Sequence, residues 1–258
     1  MTEWKVLTMG KLFDLDSPLI RVLNKAADLM WLNILVMICS LPIFTAGAAL
    51  TSAHYVALKM WRNEESYITK EFFKAFKMNF KQATLIWLIL LFVAAILGVD
   101  FYLIQNNTDL NIPEVLQVLI MAAGILFLFL VVWVFPVQAK FINTIPKTMK
   151  NAFALAMIQL PKTLLMIIVY ALPWVILSFT LRVFPLVFVF GISAPVFVSA
   201  ILYNKMFKKL EDKILGRNEE ENPTEEGIEE ETGEDVIQRE EDEHIFSDKP
   251  LIEDDEKH

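Results

Sequence analysis

Leu32–Leu58, LNILVMICSLPIFTAGAALTSAHYVAL, is apolar enough for a bilayer and carries no formal charge, yet Pro42, Thr45 and Gly47 interrupt it. An uninterrupted spanning helix does not need such a break. The stretch is therefore either one kinked span or a chain that turns back on itself. Before the break, Ser17-Pro18 reads as an N-cap followed by proline at the first helical position, so a helix from Pro18 to Leu41 is expected. Only its part from Leu29 onward is apolar, about 20 Å at 1.5 Å per residue, short of the ~30 Å hydrocarbon core. After the break, a helix from about Thr45 to Trp61 carries Ala49, Ala53 and Ala57 at spacing four. That small-residue stripe suits close packing against another helix.

The rest of the chain has the same apolar character. Of 258 residues, 55% are hydrophobic and 20 are Phe, which excludes an ordinary soluble domain. Uncharged windows run over 29–53, 82–99, 115–139, 163–181 and 183–204. Each is near or above the ~18–20 residues that a crossing needs. The expected fold is all-α, a polytopic helical membrane protein with five hydrophobic segments at about 29–58, 83–104, 115–138, 163–181 and 183–204. Residues 29–215 form the transmembrane domain. Residues 1–28 read as an amphipathic N-terminal segment and 216–258 as an acidic, disordered tail.

Charge divides the chain in two. Residues 219–258 hold 19 of the 31 acidic residues and 3 of the 23 basic ones, a local net of −16; the other 218 residues carry a net of +8. The connection 59–81 contains Lys59, Arg62, Lys70, Lys74, Lys77 and Lys81, whereas 105–113 contains no basic residue. Lys140, Lys147, Lys150 and Lys162 follow one span, and Lys205, Lys208, Lys209, Lys213 and Arg217 follow the last. By the positive-inside rule these basic stretches and the C-terminus are cytoplasmic, while 105–113 and the region of Arg182 are outside. A single span through 29–58 would put the basic N-terminus outside. A turn at Pro42–Gly47 keeps it inside and is the preferred reading.

Residues 67–82, YITKEFFKAFKMNFKQ, form a sharply divided helix. At 100° per residue Phe72, Phe73, Phe76 and Phe80 fall within about 100° of one another, and Lys70, Lys74, Lys77 and Lys81 take up about the next 60°. Such a helix suits the membrane interface, with rings among acyl chains and lysines at anionic headgroups, or else a docking surface for a partner. A faint internal repeat at offset 77 aligns 68–82 with 145–159 through Ile68/Ile145, Lys70/Lys147, Ala75/Ala152, Phe76/Phe153 and Gln82/Gln159. It maps helix 45–61 onto 122–138, so a parallel repeat would make both run in the same direction.

Chemistry is hard to find. No HExxH, GxSxG, Walker A, GxGxxG or CxxC occurs, so no enzyme activity, cofactor or metal is expected. Cys39 is the single cysteine, which excludes an intrachain disulfide. The lysine clusters adjoin spans, which points to lipid rather than nucleic acid. His54 is the one histidine of the membrane body and reads first as a packing residue. Asp100 and Arg182 are charges near the same outer face; they either pair or reach their own interfaces separately. Asn33, Thr45, Gln138, Gln159 and Tyr170 are polar positions in or near spans, suited to interhelical hydrogen bonds or to lining a solute path. Pro42, Thr45 and Gly47 complete the structural or functional candidates.

Leu32-Asn33-Ile34-Leu35, Leu41 to Gly47 and the small residues up to Tyr55 resemble the signature of the YesL-like family. So do Gly10-Lys11-Leu12-Phe13, Asn24 and Asp28, and Phe72 to Phe80. The resemblance implies a small bacterial integral membrane protein, typically of Firmicutes, with a domain of unknown function. Members tend to be encoded beside carbohydrate importers and polysaccharide-degrading enzymes. This implies an accessory or scaffold role in oligosaccharide uptake, with importer subunits as partners. Lys150 to Pro161 also resembles the coupling loop of sugar ABC permeases, which ends in Ile-x-Leu-Pro, although its Glu-Ala-Ala start and its Gly are absent here. The alternatives are a small-solute transporter or channel in its own right, or a divergent permease-like subunit.

Overall fold

The computed structural model describes residues 18–64, 67–106 and 113–214. Among them the protein is all-helical. The order is α1 (Pro18–Ser40), a 3-10 turn (Ile43–Thr45), α2 (Ala46–Arg62), α3 (Ile68–Asn106), α4 (Glu114–Lys140), α5 (Ile145–Ile158), α6 (Leu160–Phe179), a 3-10 turn (Leu181–Val183), α7 (Phe184–Phe190) and α8 (Ser193–Ile214). Helices α1, α3, α4 and α6 are long and apolar enough to cross a membrane, and α7 with α8 makes a fifth such unit, bent by 58°. The segment 1–17, with Gly10 to Phe13, and the acidic tail lie outside the described residues.

The break at Pro42 is a turn between antiparallel helices. Lys25, early in α1, donates to the Asn63 side chain at the end of α2 across 3.2 Å, so the hairpin closes on itself. The turn satisfies its own polar groups. The Thr45 hydroxyl lies 2.6 Å from the Cys39 carbonyl and 2.7 Å from the Pro42 carbonyl, and the Trp87 indole donates to the Ile43 carbonyl at 2.7 Å. Asn63 ends α2 in the left-handed region at φ 52°, which asparagine tolerates.

Helix α2 is the centre of the bundle and packs against α1, α3, α4 and α8. Gly47–Ala49 and Thr51–Leu58 are all buried. Its small side chains allow this enclosure, because a helix surrounded by four others must let their backbones approach closely. The tightest approach is at Gly47, where a Cβ would collide with the Trp87 Cβ and the Ala83 carbonyl of α3. Thr51 and Ser52 need no outside partner, since their hydroxyls donate to the carbonyls of Gly47 and Ala48 at 2.9 and 2.7 Å.

Packing alternates in direction around this axis. The ends of α2, α4 and α8 meet at one end of the bundle, where Arg62 and Lys140 both reach Glu211. The first turns of α3 lie there too, through Lys59–Glu71 at 3.2 Å. Helices α2 and α4 therefore run in the same direction, as the offset-77 repeat requires, and Ile68 and Ile145 both begin the helix that follows. The far halves differ in character. No side chain of α3 beyond Leu90 is buried, nor any of α4 before Trp133. Phe92, Ile96, Leu119, Ile125, Ile168 and Phe179 are among many large apolar side chains left exposed. An apolar surface of this extent fits lipid and does not fit water.

Two expectations need correction. The segment 67–82 leads directly into the following span, as its sequence position implies, and forms the first part of the continuous α3. Its phenyl face is turned inward. Phe72 is fully buried, and Phe72, Phe76 and Phe80 form a ladder with ring centroids 6.1 and 5.4 Å apart, so only Phe73 is exposed. Neighbouring helices cover the apolar side, leaving Lys70, Lys77 and Lys81 outside. Finally, the hydrophobic segment 183–204 is two helices broken at Gly191–Ile192.

Gly47→Ala should lower stability by about 1–3 kcal/mol, because the added methyl overpacks the α2–α3 contact. Gly98→Ala meets nothing within 4 Å and should be neutral or stabilising. Thermal unfolding of both variants in the same detergent checks the contrast.

Candidate functional site

Buried polar side chains form three linked groups inside the bundle. The first joins α2, α6 and α8. His54 Nδ1 lies 3.1 Å from the Tyr203 hydroxyl and His54 Nε2 lies 3.1 Å from the Tyr170 hydroxyl, which is 2.9 Å from Ser199 Oγ. Ser199 donates to the Val196 carbonyl at 2.7 Å, and this orients the whole chain. Ser199 must accept from Tyr170, so Tyr170 accepts from His54 Nε2–H, and Nδ1 accepts from Tyr203. Each proton in the chain has an acceptor. Tyr170 stands between Ser199 and the imidazole, so the two do not form a nucleophile–base pair.

The second group is ionic and closes the basic end. Glu211 of α8 accepts from Arg62 at 3.1 Å and pairs with Lys140 at 3.0 Å. Arg62 also donates to Asn204 at 2.8 Å, and Glu64 lies 3.9 Å from it. The Lys140 side chain is 1% exposed. Two cations from the ends of parallel helices thus share one carboxylate. In a partly desolvated setting removing this carboxylate takes a close counter-charge from both cations at once.

The third group ties α3, α4 and α5. Gln138 donates to Asn79 at 3.2 Å and accepts from Thr148 at 3.3 Å, and Gln82 donates to the Asn143 carbonyl. Nearby, Trp133 donates to Thr163 at 2.8 Å, and the Thr163 hydroxyl faces the Ala156 and Gln159 carbonyls at the α5–α6 break.

Asn33 performs the same service at the other break. Its amide donates to the Phe188 carbonyl at 2.8 Å, and its oxygen accepts from the backbone of Ile192 and Ser193, each at 3.0 Å. One buried side chain therefore satisfies the end of α7 and the start of α8. Broken helices are tolerated at membrane depth only with such partners.

The remaining candidates are placed as follows. Thr45 and Pro42 form the hairpin turn, and Gly47 forms the closest helix contact. Asp100 on α3 and the exposed Arg182 are not joined: no ion pair links them among the described residues. Lys70, Lys74, Lys77 and Phe73 border a shallow surface groove with Tyr67 and Thr69. A larger cleft of ≈ 1040 Å³ opens at the basic end between α1, α2 and the start of α3, and Arg21, Lys25, Asp28, Trp31, Lys59 and Glu71 are among its lining. Among the described residues no group of three or more His, Cys, Asp or Glu side chains is placed to hold a metal ion.

Sequence reading missed Glu211, Lys140, Tyr203 and Ser199. The first two lie among span-flanking charges that the positive-inside rule explains without pairing, and the last two lie in an apolar run where polarity alone is a weak signal. The fold and its polar seams define a multi-span helical membrane architecture. The sequence model of a family described as "Protein of unknown function, DUF624" matches residues 29–101, a region running from α1 into α3. No curated protein and no solved structure matches the chain.

Glu211→Gln should cost about 3 kcal/mol, because Arg62 and Lys140 lose their shared counter-charge. Lys140→Met should cost less, since Arg62 still neutralises the carboxylate. Melting in detergent orders the two, and a larger loss for Lys140→Met would contradict the shared-carboxylate account.

Proposed function

We propose that this chain is a non-enzymatic, YesL-like integral membrane protein of the bacterial plasma membrane. In this reading it acts as an accessory or scaffold subunit in carbohydrate uptake, with its basic end in the cytoplasm. The observation that carries the reading is how the interior polar groups are used. Most of those of α2, α4, α6 and α8 bind one another, in the His54–Tyr170–Ser199 and Arg62–Glu211–Lys140 groups, while the Ser193 hydroxyl at the start of α8 is buried without a hydrogen-bond partner. A transporter needs polar groups held toward a solute near the midplane, often on broken helices. Here the side chain at the α7–α8 break, Asn33, is fully engaged in capping it.

The docking surface in this reading is α5. It follows the parallel helix α4 at the basic end and turns Thr148, Asn151, Ala152, Leu155 and Ala156 inward. Lys150, Phe153 and Ile158 remain exposed. An amphipathic helix with one exposed ring beside a lysine suits the groove of a soluble subunit. The likeness of Lys150 to Pro161 to a permease coupling loop supports the same face. Phe72 is buried and not available for this purpose.

Phe153→Ser with Lys150→Ala should abolish co-purification of importer subunits in mild detergent while leaving the melting temperature within a few degrees. Undiminished partners would sink the α5 docking reading. Solute flux into proteoliposomes containing the purified chain alone would instead establish the transporter alternative.

A further inference from the structure

Helices α6 and α8 pack together in antiparallel register. Tyr170 meets Ser199 at 2.9 Å, and Trp133 of α4 contacts both Thr163 of α6 and Tyr203 of α8. Counting eight residues back from Tyr170 and eight forward from Ser199 sets Lys162 opposite position 207, between Lys205 and Lys209, which are one helical turn apart. Both α8 lysines are exposed, and their charges act on Lys162. Among the described residues no acidic side chain pairs with any of the three.

This cluster differs from the lysines of α3. Lys70, Lys74, Lys77 and Lys81 follow from the period of one helix, which places like charges on a solvated face at little cost. Lys162, Lys205 and Lys209 are brought together by the tertiary fold, and no ion pair joins them to an acidic side chain among the described residues, although Asp212 follows Lys209 by three residues on α8. Such an arrangement favours a bound anion.

The surroundings identify the kind of anion. Lys162 lies in the first turn of a helix apolar enough to cross a membrane, and a lysine at the end of such a helix reaches headgroup phosphates. From it an exposed stripe rises along α6 through Leu165, Ile168 and Leu172, and Val198 is exposed on α8 two turns above Lys205. An acyl chain can lie along that stripe while its phosphate sits on the ammoniums. We propose that Lys162, Lys205 and Lys209 form a binding site for one anionic phospholipid. The acidic tail, which begins ten residues after Lys209, is a competing anion but has no acyl chain to cover the stripe.

The test uses the full chain in a neutral detergent, with phosphatidylglycerol and phosphatidylcholine competing at equal concentration and adducts counted by native mass spectrometry. The wild type should retain phosphatidylglycerol at least about fivefold over phosphatidylcholine, since each lysine at an anionic surface contributes appreciably. K162Q/K205Q/K209Q should bring the ratio to within about twofold of unity with an unchanged elution profile. K70Q/K74Q/K77Q should keep the wild-type ratio. An unchanged ratio in the first variant, or its loss only in the second, overturns the site. Equal protection from melting by inorganic phosphate alone would overturn the lipid assignment in favour of a free-phosphate site. Carbodiimide cross-links from carboxylates of 219–258 to these lysines that survive excess phosphatidylglycerol would make the tail the occupant and overturn it as well.

Discussion

The constraint on which this bundle depends is the enclosure of α2. A helix touched by four others can be covered only if its own side chains are small where the neighbours cross most closely, and Gly47 marks the point where even a methyl does not fit. Hydrophobic burial cannot drive this closeness as it does in water, because lipid tails are as apolar as leucine. Close packing and interhelical polar contacts must supply it. That is why α2 combines Ala48, Ala49, Ala53 and Ala57 with a buried His54, and why it can carry Thr51 and Ser52. Lipid is kept away from it by its neighbours, so its hydropathy is free to be lower than theirs.

The same medium dictates how breaks are handled. The chain leaves helical geometry at 41–45, at Gln159 and at Gly191–Ile192, and in each place a side chain takes over the exposed backbone groups. Thr45 and Trp87 act at the first, Thr163 at the second and Asn33 at the third. Two of these side chains come from elements other than the one interrupted: Trp87 is on α3, and Asn33 is on α1. A break repaired from a neighbouring helix fixes position as well as hydrogen bonding, so these residues also set how the elements stand against each other.

Much of the architecture was legible because it rests on local signals. Uncharged windows locate spans, Pro18 begins α1, and Pro42–Gly47 marks the turn, since only a reversal reconciles the basic residues on both sides of it. The faint repeat anticipated the common direction of α2 and α4. What stayed hidden depends on long-range placement. The period of Phe72, Phe76 and Phe80 is the same whether they face lipid or protein, and sequence offers no way to choose. Asp100 and Arg182 each lie near the end of an apolar segment, but a like position along two segments does not make two charges neighbours. Conversely, Glu211 lies 71 residues beyond Lys140, and nothing local announces that they meet.

These relations bear on the choice between a scaffold and a conducting protein. Alternating access moves one group of helices against another, and each contact across the moving boundary must be broken and remade. The ionic group joins α2, α4 and α8, the histidine group joins α2, α6 and α8, and the Gly47 contact joins α2 to α3. Any boundary that separates α2 from its surroundings cuts all three. A motion that spares all three contacts must keep α2 fixed against α3, α4, α6 and α8.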